Sequence, residues 1–224
     1  MKTLWVFTPW VPESVNPGRL WGRCEFLNGE ELARAQPVEG EFSADGLPTA
    51  QIAFSDGDYD EDCFQWRGFT FVSETMRRAM ALGPSDIQYF EVDSSRSAPL
   101  PRSKHYQIMH VPVTEDASDP ERSEYFFDHL PGGAEAAYDP KAVAFRPDID
   151  PQHDIFCDRF FRIVLCTDEL ALRVLRAGCT GMRFLDPVDL RGFERFRTLR
   201  GVEEEREWDR KQKAFRNRLI REIP

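Results

Sequence analysis

No stretch of the chain approaches the ~20 consecutive apolar residues that cross a bilayer, so a membrane span is not expected. The apolar run near the N-terminus, Leu4 to Phe7, is followed closely by Pro9 and Pro12. A secretory signal needs roughly 7–15 unbroken apolar residues and a small-residue cleavage site, so a cytoplasmic protein is expected. Cysteine is scarce and unpatterned. The five residues Cys24, Cys63, Cys157, Cys166 and Cys179 are odd in number and form no C-x-x-C. That argues against a disulfide framework and for free thiols in a reducing compartment.

The motifs of common catalytic classes are also missing. There is no G-x-S-x-G elbow, no G-x-G-x-x-G and no G-x-x-x-x-G-K-[ST], which leaves nucleophilic hydrolysis and nucleotide binding without support. The four histidines, His105, His110, His129 and His153, form no H-E-x-x-H and no helical pair. The loop D56-G-D-Y-D-E-D62 begins like a calcium loop but carries Glu61 at its sixth position, where the sharp turn needs Gly, and Arg67 at its twelfth, where a bidentate Glu is needed. Asp148 and Asp150 have Asp154 and Asp158 nearby, whereas a nuclease surrounds its paired carboxylates with bases that grip phosphate. Ser73 reads as a helix cap, and Cys157, Cys166 and Cys179 as buried thiols. No catalytic residue, metal or cofactor is expected.

What is present is an ordinary globular composition, 41% apolar and 30% charged over 224 residues, enough chain to bury a core without staples. The formal net charge of -10 is unevenly spread. Residues 191–224 hold eleven Arg or Lys against seven Asp or Glu, a net +4, and the rest holds eighteen against thirty-two, a net -14. A body this acidic repels phosphate backbones and attracts basic proteins. Negative charge also serves solubility alone.

Two segments echo each other. Residues 69–83 (F-T-F-V-S-E-T-M-R-R-A-M-A-L-G) and 161–178 (F-R-I-V-L-C-T-D-E-L-A-L-R-V-L-R-A-G) each run from apolar residues to a hydroxyl, then acids, then a helical pattern ending at Gly. Ser73 and Thr167 fit N-caps, and Gly83 and Gly178 fit left-handed helix ends. Apolar stretches follow at 87–92 and 182–185, so each segment reads strand, helix, strand. A duplication and two ordinary strand–helix units both account for this. Further strands are expected at 4–11, 48–54, 105–113, 141–145 and 160–165, and a short helix at 28–35 capped by Asn28. Polar loops are expected at 56–62, 114–123 and 148–154. The tail from Phe193 changes from acidic to basic along 203–220 and suits a charged helix with a Trp208, Phe215, Leu219 stripe.

The expected fold is a single α+β domain with a mixed or mostly antiparallel sheet, two capped helices packed on it, and a charged C-terminal helix. Residues 1–65 would give N-terminal strands and the acidic loop of the same domain, 66–190 the core, and 191–224 the charged helix.

From about Trp66 to Pro187 the chain resembles the bacterial immunity-protein family eleven of polymorphic toxin systems. The features that carry the resemblance are F69-T-F-V-S-E-T-M76, Y106-Q-I-M-H-V111, D116-A-S-D-P-E-R-S123 and the stretch from D154-I-F156 through I163-V-L-C-T-D-E-L170 to T180-G-M-R-F184. Cys166-Thr167 departs from the Val-Ser expected before the second helix. The resemblance implies a protein that neutralises a cognate toxin by binding it and covering its active site; the acidic body and the lack of a long apolar run add the expectation of no nucleic-acid and no membrane partner. Many toxin domains act on nucleic acid and are basic, so the acidic body would be complementary. On charge alone, Asp56, Asp58, Asp60, Glu61 and Asp62 are the candidate partner contacts. Two other classes remain open: an enzyme whose site converges only in three dimensions, and a non-catalytic adaptor of the same fold.

Overall fold

The computed structural model describes residues 4–9, 24–35, 47–54, 61–66, 68–97, 104–129, 135–187 and 190. The expected charged helix at 191–224 and the loop residues Asp56, Asp58 and Asp60 lie outside them. The fold is α+β, and its contacts divide the chain into two compact units. One takes the chain up to Thr8, from Val113 to Leu172 and from Arg183 onward. The other takes Pro9–Pro112 and Arg173–Met182.

The second of these units is built on a six-stranded sheet. Its strands are β2 (Cys24–Phe26), β3 (Ala50–Phe54), β4 (Cys63–Trp66), β5 (Phe69–Ser73), β6 (Gln88–Asp93) and β7 (Tyr106–His110), in the order β2-β3-β6-β7-β5-β4. All neighbours are antiparallel except β3 and β6. Two helices belong with it: α1 (Gly29–Arg34) and α2 (Glu74–Met80). Alternation along the strands sends Ile52, Phe54, Phe64, Phe71, Tyr106 and Ile108 to one face, where they close a core with Leu32 of α1. Aromatic contacts dominate this core: Phe64 stacks on Phe71 with centroids 4.8 Å apart, and Tyr106 meets Phe64 edge-on at 5.3 Å.

The other unit holds a five-stranded sheet. Its strands are β1 (Leu4–Pro9), β8 (Thr114–Glu115), β11 (Ile155–Asp158), β12 (Val164–Thr167) and β13 (Met182–Leu185), in the order β13-β1-β12-β11-β8. A separate hairpin pairs β9 (Glu124–His129) with β10 (Glu135–Ala142). Leu4, Val6, Phe156, Phe161, Leu165 and Leu185 lie in its core. The helix α3 (Asp168–Arg176) follows β12, and the boundary between the units falls inside it, after Leu172.

The two strand–helix–strand segments share more than a sequence pattern. In one unit β4, β5, β7 and β6 are neighbours in that order; in the other β11, β12, β1 and β13 are, with the first strand of the chain in the place of β7. The helix starts use the same chemistry. Ser73 Oγ accepts the Met76 amide at 3.2 Å and Thr167 Oγ1 accepts the Leu170 amide at 3.4 Å. Each cap is itself held by an aspartate just before the neighbouring strand. Ser73 donates its amide to the Asp62 carbonyl and its hydroxyl to Asp62 Oδ1, both at 2.7 Å. Thr167 does the same with Asp154, at 2.9 and 3.1 Å. Capping alone contributes about 1 kcal/mol per site. Ser73→Ala and Thr167→Ala should each lower unfolding free energy by about 1–2 kcal/mol in urea titration; no change in either would show that the backbone amide-to-carbonyl bond, not the hydroxyl, fixes the helix start.

Several expectations are corrected. Asn28 precedes α1 but makes no side-chain cap bond. Its amide instead pairs with β3 and the residue before it, donating Nδ2 to Thr49 O and accepting Gln51 N, both at 2.9 Å. The left-handed residue ending α2 is Ala81 (φ 50), not Gly83, whereas Gly178 (φ 72) ends α3 as expected. Cys179 N reaches Val174 O and Gly178 N reaches Leu175 O, the paired bonds of a Schellman end. The run 160–165 is not one strand: Phe160 and Phe161 form the turn before β12 and pack edge-on against Tyr125. The segment 114–123 is more ordered than a polar loop, for Ala117 and Ser118 are fully buried and Thr114–Glu115 pairs in parallel with β11.

Candidate partner-binding surface

Of the five acidic residues named from sequence as partner contacts, the described ones are Glu61 and Asp62. Glu61 is half-buried, and its carbonyl accepts Tyr106 Oη at 2.7 Å. Asp62 is not a surface contact but an inward carboxylate, 6% exposed. Oδ1 takes the Ser73 hydroxyl and an ion pair from Lys104 Nζ at 3.2 Å, and Oδ2 takes the Thr180 amide at 3.0 Å. Asp62 N also donates to Thr180 O. Beside this junction Gly181 (φ 79) lies so close to β4 that a Cβ would stand 2.0 Å from the Cys63 carbonyl oxygen, so only glycine fits.

Asp158, with no exposure at all, is a second inward carboxylate. It accepts Ser118 N at Oδ1, and Ser118 Oγ, Phe160 N and Phe161 N at Oδ2, at 2.8–3.1 Å. These bonds make the turn between β11 and β12 without a glycine, with Arg162 in the left-handed region (φ 55). Asp148 and Asp150 are exposed. Among the described residues no three His, Cys, Asp or Glu side chains gather as metal ligands would. Cys63, Cys157, Cys166 and Cys179 are free thiols. Burial pushes the Cys63 and Cys166 thiols well up and, with Asp62 adding to it, the Cys179 thiol up to about 11. Such thiols are poor nucleophiles at neutral pH, as befits packing side chains.

Acidic residues face water in both units, Asp116, Glu121, Glu124 and Glu169 among them, and one set of them sits on the six-stranded sheet and α1. Phe90 and Val92 of β6 pack on the core, so Glu91 and Asp93 take the opposite face, and both are exposed. The backbone amide and hydroxyl of Ser95 hold the Asp93 carboxyl below its usual range. Glu25 of β2 and Glu30 and Glu31 of α1 are exposed as well. Next to α1 an open groove of about 580 Å³ is lined by Phe26, Trp66, Gly29, Glu30, Glu31 and Arg34 with neighbouring backbone. Phe26 and Trp66 stack with centroids 4.0 Å apart at an interplanar angle of 15°. A Cβ at Gly29 would stand 3.1 Å from Trp66 Cη2, so the helix start lies directly on the indole. Sequence reading missed this groove because β2 and β4 bring Phe26 and Trp66 together from different segments and neither position carries a motif.

The immunity protein family Imm11 has a family model that matches residues 26–189 of this chain. The chain belongs to the Imm11 family. No curated protein matches it. The Imm11 match starts upstream of Trp66, where the sequence resemblance was expected to begin, and so takes in the last residue of β2, α1, β3 and the whole groove. The charged segment 191–224 lies beyond it. No helix among the described residues of this Imm11 chain is long and apolar enough to cross a membrane.

Proposed function

We propose that this Imm11 protein acts in the cytoplasm by binding a cognate protein toxin, basic in character, through an acidic surface, and that it neutralises the toxin by occlusion and not by catalysis. The observation that carries this reading is the family match over residues 26–189. The net charge of -14 outside residues 191–224 supports the sign of the partner, since opposite charge accelerates encounter and penalises wrong partners. Exposed Glu25 of β2 and Glu30 and Glu31 of α1 lie on elements whose backbone is already fixed, so presenting them to a partner costs little ordering entropy. Asp56, Asp58, Asp60 and Glu61 remain contact candidates in this reading, and Asp62 does not, because its carboxylate is spent on Ser73, Lys104 and Thr180.

The test is protection of growth. A toxin domain encoded beside the gene for this chain should arrest a sensitive host when expressed alone and should fail to do so when this chain is co-expressed. Arrest of equal strength with this chain present at comparable level would refute the reading.

A further inference from the structure

We propose that the groove beside α1 receives the guanidinium of an arginine presented by the cognate toxin; this rests on the toxin-binding reading above and names the place and chemistry of one contact. The groove pairs two kinds of wall that a guanidinium satisfies together. Its aromatic side is Phe26, half-buried and backed by the buried Trp66 indole, which offers ring surface against which a delocalised cation and its alkyl stem can pack. Its other side carries Glu30 and Glu31 in the first turn of α1, both exposed, which can accept the planar fork of donors. An open volume of about 580 Å³ admits the side chain together with the stretch of partner backbone that bears it.

The alternatives fit less well. An anion would meet two carboxylates, whose full charges outweigh the partial positive charge of one six-residue helix. A purely apolar side chain would leave Glu30 and Glu31 desolvated beside it, at a cost that offsets the burial. Arg34 is the one base in the lining, paired with Glu30 at 3.5 Å, and the two side chains are 81% and 92% exposed. Such an exposed pair contributes little, so an incoming guanidinium can share or displace it. Asn28 fixes the start of α1 to β3, so the acidic rim is held against the aromatic wall before any partner arrives.

The experiment uses the full chain and the toxin domain encoded beside its gene, purified with its activity removed by mutation, and measures affinity by titration calorimetry at 0.15 M salt. Three forms are compared: the unaltered chain, E30K/E31K, and E91K/D93K, which makes the same charge change on the opposite face of the sheet. All substituted residues are exposed, and circular dichroism confirms that each form folds. The expected result is a loss of about tenfold or more for E30K/E31K, as at an arginine anchor, with less than about threefold for E91K/D93K. Equal losses in the two variants would overturn the groove in favour of a long-range charge effect. Binding of E30K/E31K within about twofold of the unaltered chain would overturn it outright while leaving toxin binding intact. Failure of the unaltered chain to bind would overturn the toxin reading and the groove with it.

Discussion

Asp62→Ala is expected to destabilise the protein by about 3–5 kcal/mol, the range for removing one partner of a buried ion pair. The reason lies in what is left behind. Lys104, whose side chain is only 11% exposed, would lose the Asp62 carboxylate, and the Ser73 hydroxyl and Thr180 amide would lose it as acceptor. For a chain of this size each kcal/mol moves the melting temperature by roughly 2–4 °C, so a fall on the order of 10 °C should appear in a thermal scan. The double variant D62A/K104M should recover part of the loss, because replacing both ions by apolar groups often costs little. A thermodynamic cycle over D62A, K104M and the pair isolates the coupling. If D62A left stability within about 0.5 kcal/mol of the parent, the carboxylate would not be the buried anchor described here and would return to the list of surface contacts.

Asp158→Asn is the second large effect. The change is nearly isosteric but leaves a single carbonyl oxygen where two carboxylate oxygens now accept four donors. With the amide oxygen placed toward Phe160 N, Phe161 N and Ser118 Oγ, the new NH₂ faces the Ser118 amide, donor against donor. An unmet buried donor costs about 1–3 kcal/mol and the lost charge-assisted bonds add to it, so a loss of about 3 kcal/mol in urea unfolding is expected. Ser118→Ala removes only the hydroxyl donor and should cost about 1 kcal/mol. Equal costs for the two variants would place the importance of the site in Ser118 rather than in the carboxylate that organises the turn.

These two aspartates show where sequence reading stopped. The helices starting after Ser73 and Thr167 were legible because a hydroxyl, first-turn acids and an apolar stripe agree locally. Strands β3, β5, β6, β7 and β13 were legible as apolar runs bounded by turns. The hairpin of β11 and β12 was not, since its turn is made by the Asp158 carboxylate and a left-handed Arg162 in place of glycine. Asn28 looked like a cap because residue type and position fit, but its partners, Thr49 and Gln51, are distant in sequence. Asp62 was grouped with the loop acids on charge alone; its ion pair with Lys104 is a tertiary fact that local pattern does not carry. The groove was hidden for the same reason, its aromatic wall being assembled from β2 and β4.

The central claim is stoichiometric toxin binding. The most direct test mixes the purified full chain with the inactivated toxin domain encoded beside its gene and follows complex formation by light scattering after size exclusion, at low and high salt. A complex of fixed stoichiometry, populated at least as fully at low salt as at high salt, is the expected result, because opposite surface charges favour it and salt screens them. Two separate peaks at both salt concentrations would contradict it.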